Sequence, residues 1–289
     1  MNTSHSGIVD MHVHSAPSLF PRQFNDFYLG KMAVKYNMKG FVIKDHDSIT
    51  SNRAYLVNEY IGEKRAYGSM VFNHSQGGFN RRVFQTAINY GIKVAWMPTN
   101  QSLYHITNFG GNDYSKLKRD KKLPDWPGIY ILNREGNVKD NVLDILDMAK
   151  ENSICIGTGH LSHKEIFALV NSSSSALRKK TVVTHINWDI FRMSDSEIGE
   201  LKAKGVYFEL TLAPIYSNQF RSEIIEDFAK MIRIIGVDKC IISSDLGQIG
   251  NIDPAEAVNK AWKELENVGL SNNELEKLFS SNAENFLTI

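Results

Sequence analysis

The stretch that decides the fold is IVDMHVH, residues 8–14. Its apolar residues read as a buried strand, and the two-residue spacing puts His12 and His14 on one face of it. Seven further short runs rich in Val, Ile, Phe and Tyr follow, separated by longer segments with helical periodicity. That alternation is the pattern of repeated βα units around a parallel sheet. The eight predicted strands cover residues 8–14, 40–44, 68–73, 92–97, 154–158, 181–184, 206–211 and 240–244.

The punctuation between them agrees. Ser194 with Glu197, Ser271 with Glu274, and Asp253 followed by Pro254 are helix-start signals. Gly40, Gly91, Gly205 and Gly236 stand where a left-handed helix end is wanted before the chain re-enters the sheet. The serine run at residues 172–175 reads as a helix break. One (β/α)8 TIM barrel takes about 250 residues, so a single barrel absorbs nearly all of the 289 and one domain over residues 1–289 is expected.

One connection breaks the rhythm. Between Met97 and the helix starting near Val138 lie about forty residues, against about 2–6 for an ordinary βα loop. Residues 100–137 are therefore predicted to be a lid-like insertion after strand four, ending in a hairpin that turns at Glu135–Gly136. Its basic cluster, residues 116–122, reads as a solvated face.

Composition excludes several classes. With 33 Lys and Arg against 32 Asp and Glu the net charge is +1, so no global field favours nucleic acid or an anionic membrane. No apolar run approaches the ~20 residues of a spanning helix, and residues 1–10 lack a signal-peptide pattern, so a cytoplasmic protein is expected. Cys155 and Cys240 lie in apolar runs and read as small core residues without a disulfide. The expected partner is a small-molecule substrate, with a homo-oligomer left open.

The histidines carry the chemistry. A three-residue window at each predicted strand end covers about 24 positions, where chance would place about one of the nine histidines. Six fall there: His12, His14, His46, His74, His160 and His185. In a barrel the C-terminal strand ends build the active site. His12, His14, His160, His185 and Asp245, in the strand-eight run IISSDLG, thus form a predicted shell for one or two divalent cations. Imidazole and carboxylate favour zinc, with manganese or iron as alternatives.

This order, His-x-His on strand one, single histidines ending strands five and six, and an aspartate ending strand eight, resembles the amidohydrolase superfamily. SSNAENFL at residues 280–287 is similar to that superfamily's C-terminal segment. The resemblance implies a metal-dependent hydrolase acting on an amide, lactone or related C–N or C–O bond. Asp245 would be the proton carrier, and His185, Lys44 or His46 would stabilise developing negative charge. Binuclear members bridge their metals with a carboxylated lysine or glutamate on strand four, where this chain reads VAWMPTN. Either one metal is bound, or Lys44 at the end of strand two supplies the bridge or acts on substrate.

VIKDHDS at residues 42–48 also resembles the second motif of the polymerase and histidinol phosphatase (PHP) phosphoesterases. That makes His46 a candidate metal ligand or supporting group, with His74 beside it. The alternative function is then a PHP-like phosphoesterase, favoured if Arg81, Arg82 and Lys44 converge on the metal. A non-catalytic metal-binding barrel is the third reading, and related barrels also run decarboxylation and hydration. Glu209, a charged residue in the apolar run VYFELT, is expected to bind substrate or support the site. Trp96, Tyr104, Trp126 and Trp188 are expected to pack.

Overall fold

A computed structural model describes residues 7–109, 126–218 and 221–289. Eight parallel strands run β1 Val9–Val13, β2 Gly40–Ile43, β3 Ala66–Val71, β4 Ile92–Trp96, β5 Cys155–Gly157, β6 Thr181–Val183, β7 Tyr207–Thr211 and β8 Cys240–Ser243. They are hydrogen-bonded in sequence order and every adjacent pair is parallel. Helices stand between them, so the architecture is the (β/α)8 barrel that the alternation predicts.

The ring closes between its first and last strands at the mouth. Asp245 N donates to His12 O at 2.8 Å and His14 N donates to Leu246 O at 2.9 Å. Lower in the seam the Asp10 side chain replaces a backbone acceptor, taking Ser244 N at 3.0 Å and His12 N at 3.2 Å on Oδ1. These bonds satisfy buried amides that an open sheet edge would leave unpaired.

Side chains sort into two cores. Val9, Met11, Val42, Val71, Val94, Trp96, Cys155, Val182 and Ile241 fill the barrel, and Ala283, Phe286 and Leu287 of the last helix plug its lower end. A larger shell packs between strands and helices. On β1 the inward set changes parity, from Val9 and Met11 below to His12 and His14 above. The register shift between Asp10 and Val13 carries that change.

Helices α1 Asp26–Lys35, α2 Ser51–Ile61, α3 Arg81–Asn89 and α4 Leu103–Phe109 are the ones that bear on the site. Farther along, both predicted capping boxes form, at Ser194/Glu197 and Ser271/Glu274, and Asp253 caps the helix that opens on Pro254. The serine run does end one helix at Ser172 and starts the next at Ser175. Gly91, Gly205 and Gly236 have positive φ, but Gly40 does not. There Asn37 makes the left-handed turn (φ 48°), and Gly40 is small because a Cβ would lie 2.8 Å from the Tyr67 ring.

The insertion after β4 begins with α4. Its far end is antiparallel at Leu132 and Val138, with Gly136 N donating to Asn133 O at 3.1 Å across the predicted turn. The basic cluster at residues 116–122 lies outside the described residues. Both cysteines are buried and free. Among the described residues no helix is long and apolar enough to cross a membrane.

Candidate metal centre

The strand ends deliver His12 and His14 from β1, Lys44 and His46 after β2, His160 after β5, His185 after β6 and Asp245 after β8 to one mouth. His14, Lys44, His46, His160, His185 and Asp245 line a single pocket there, with about 430 Å³ of empty space. His12 lies beneath it, fully enclosed. Its floor is Trp96, whose ring is 5.1 Å from the His12 ring and 4.5 Å from Lys44 Nζ. Gly157 on the neighbouring strand makes room for that indole, because a Cβ there would lie 2.1 Å from Trp96 Cε3.

Three electron-pair donors converge. His12 Nε2 and His14 Nε2 each lie 3.1 Å from Asp245 Oδ1. Both rings are oriented from behind. Glu209, wholly enclosed on β7, takes His12 Nδ1 at 3.1 and 3.3 Å. The Lys44 carbonyl takes His14 Nδ1 at 2.9 Å, and since a carbonyl only accepts, that nitrogen carries the proton. The Arg22 guanidinium also stands 3.2 Å from that nitrogen. With Nδ1 engaged from behind, each ring turns Nε2 toward Asp245, the atom that either donates to the carboxylate or binds a cation seated among the three. The Lys44 ammonium, 2.9 Å from His12 Nε2, is one such cation, and a divalent ion is the other that this donor set suits.

Electrostatics favour the neutral form for four of the histidines. Burial holds His14, His46, His160 and His185 well below the usual imidazole range, so they stand neutral, the form that binds metal. Burial pulls His12 down too, but the Asp245 and Glu209 carboxylates outweigh it and leave it raised. Burial would push Asp245 up, yet His12 and His14 hold it well below the ordinary carboxylate range. Burial lowers the Lys44 amine to about 8.

His185 (φ 34°) and Asp245 (φ 51°) both sit in the left-handed region, which is costly for residues with a Cβ. Behind Asp245, Gly247 lets the chain pass against β1, since a Cβ there would lie 1.9 Å from His14 O.

Several supporting residues carry no signal in the sequence. His105 of α4 is buried and its Nδ1 lies 2.8 Å from His160 Nδ1. Ser102 bolts this helix to the site, accepting from His105 N at 3.0 Å and donating to His160 O at 2.7 Å. His46 Nδ1 meets Thr99 Oγ1 at 2.9 Å, and Asn73 ties the two loops together through Thr99 N and His46 O. Arg22, Phe109, Trp188, Phe191 and Gln248 complete the pocket wall.

Other expectations are corrected. His74 is outside the pocket, its Nε2 2.9 Å from Pro127 O and its ring against Trp126. The turn that follows Asn73 rotates its side chain outward, and Asn73 supports the site instead. Arg81 and Arg82 are exposed on α3, and Arg81 pairs with Asp144 at 3.4 Å. Helix α3 packs on the outside of the barrel, away from the mouth. Glu209 takes the supporting role of its expected alternatives, paired with His12. Among the aromatics, Trp188 lines the pocket, whereas Trp96 is wholly enclosed and Tyr104 bonds Ile190 O at 2.8 Å.

Fold and site together define a class, the barrels with histidines and an aspartate gathered at the strand ends. The chain belongs to the DUF6282 family, a family of unknown function, whose model matches residues 7–209. A search of curated proteins gave no match. Among solved structures, the probable dipeptidase PvdM from Pseudomonas aeruginosa is similar at TM-score 0.65 and 12% identity, over 98% of this chain and 95% of that one. An amidohydrolase from Pseudomonas aeruginosa is similar at TM-score 0.59 and 12% identity, over 98% and 95%. The phosphotriesterase homology protein from Escherichia coli, solved with phosphate in its active site, is similar at 0.55 and 12%, over 99% and 100%. At such identities the likeness is one of fold, a (β/α)8 barrel.

Proposed function

We propose that the protein is a metal-dependent hydrolase acting on an amide, lactone or related C–N or C–O bond of a small molecule. The observation that carries this is the convergence of His12 Nε2, His14 Nε2 and Asp245 Oδ1, with both rings oriented from behind. These three would hold the ion, with His160 and His185 beside them, and two imidazoles with a carboxylate favour Zn2+. A divalent ion there supplies Lewis-acid polarisation of a carbonyl and makes water acidic near neutral pH.

The chain's own groups do the rest. Asp245 is the one acid on the pocket lining among the described residues, placed to accept a proton on its carboxylate and return it to the leaving group. Lys44 Nζ and His185 stand where negative charge developing on a substrate oxygen would be stabilised. Phe109, Trp188 and Phe191 restrict water. The phosphoesterase reading is less favoured: Lys44 and His46 line the pocket, but Arg81 and Arg82, the other two cations it called for, do not.

The test combines elemental analysis of purified protein, zinc titration by calorimetry, and turnover on lactone and amide panels beside p-nitrophenyl phosphate. Expected are zinc uptake that His12→Ala removes and lactone or amide turnover that Asp245→Asn abolishes. Failure to bind any divalent ion would sink the proposal. Metal binding with no turnover on any substrate would turn it toward a non-catalytic barrel.

A further inference from the structure

The pocket above the metal donors has two chemical characters. Part of its wall is Arg22, on the segment between β1 and α1. That segment is tied to the one beyond β8, because Arg22 bridges Gln248 and Gln23 N donates to Gly247 O at 2.9 Å. The guanidinium lies 5.7 Å over the Phe20 ring and is thereby held at the pocket. Another part of the wall is flat and apolar. Phe191 stacks on His185 at 5.2 Å, and the Trp188 indole is pinned by its Nε1 donating to Thr211 Oγ1 at 2.9 Å.

Charge completes the argument. An arginine is always cationic. Arg22 and the Lys44 ammonium balance Asp245 and Glu209, so an anionic guest meets no excess negative charge, and a divalent ion adds attraction. One planar guanidinium matches the two oxygens of one carboxylate.

We propose that Arg22 determines specificity by pairing with a substrate carboxylate while a flat apolar group of the same molecule lies against Trp188 and Phe191. The inference rests on the hydrolase reading only for where the reacting bond lies, beside His12, His14 and Asp245. The substrate class is a small aromatic or apolar monoacid carrying a hydrolysable bond.

The test is calorimetric binding of phenylacetate and of its neutral amide, phenylacetamide, to zinc-loaded and to chelator-treated protein. Wild type is expected to prefer the acid by at least about 10-fold in both states. Arg22→Gln should erase the preference and Arg22→Lys should keep part of it. Equal affinity for acid and amide in wild type overturns the proposal, as does no binding of either. So does a preference that appears only with zinc and survives Arg22→Gln, which would assign the carboxylate to the ion. If no zinc binds, the hydrolase reading falls, while the chelator-treated protein still decides the role of Arg22.

Discussion

His105 Nδ1 lies 2.8 Å from His160 Nδ1, so one of two buried imidazoles must donate to the other. The insertion after β4 thereby reaches the centre of the site. Burial pushes His105 down to about 3, which keeps it neutral when folded. The unfolded chain takes up that proton near pH 6.5, so His105 costs stability as pH falls from about 6.5 to 3. His105→Leu should flatten that part of the acid-denaturation curve. At neutral pH it should cost about 1–3 kcal/mol, because His160 Nδ1 is left buried without its partner. Urea unfolding at several pH values reads both effects, and an unchanged acid slope would refute the first.

Glu209 accepts from His12 and so fixes which nitrogen faces Asp245. Glu209→Gln keeps the shape and removes the charge. Zinc affinity is expected to fall about 10–100-fold with little change in far-UV circular dichroism. Calorimetry showing wild-type affinity would mean that His12 is oriented by something else.

Asp10 sits in the seam between β1 and β8, and burial raises its carboxyl from 3.8 to about 6. The folded state holds that proton through a range where the unfolded chain has lost it, so this group's contribution declines as pH rises from about 4 to 6. Asp10→Asn preserves the Oδ1 acceptor and removes the titration. Its stability, measured against wild type, should gain progressively over that window, and a constant difference would contradict the assignment.

Two glycines separate packing from propensity. Gly157→Ala would drive a methyl into Trp96, at 2.1 Å, and is expected to cost about 3 kcal/mol or more while disturbing the floor beneath Lys44 and His12. Gly199, in the helix Asp195–Ala203, meets nothing within 4 Å, so Gly199→Ala should stabilise by about 0.5–1 kcal/mol. Thermal melts of the two variants should move in opposite directions.

What the sequence determined by itself was periodic or local. Alternating apolar runs specified eight strands, each recovered within about two residues, because burial on a parallel barrel leaves a continuous hydrophobic signature. Capping serines and aspartate marked helix starts for equally local reasons. Histidines at strand ends were legible once the barrel was assumed, since strand direction alone brings His12, His14, His160, His185 and Asp245 to one mouth. Tertiary structure alone decided which side chains stand behind and above them. His105, Arg22, Trp188 and Phe191 reach the site from loops and a short helix, where no period fixes direction. His74, Arg81 and Arg82 missed it because a single turn after β3 rotates them outward. Glu209 shows both sides at once, a charge conspicuous in an apolar strand whose partner, His12, lies across the barrel, a distance that only closure of the sheet removes.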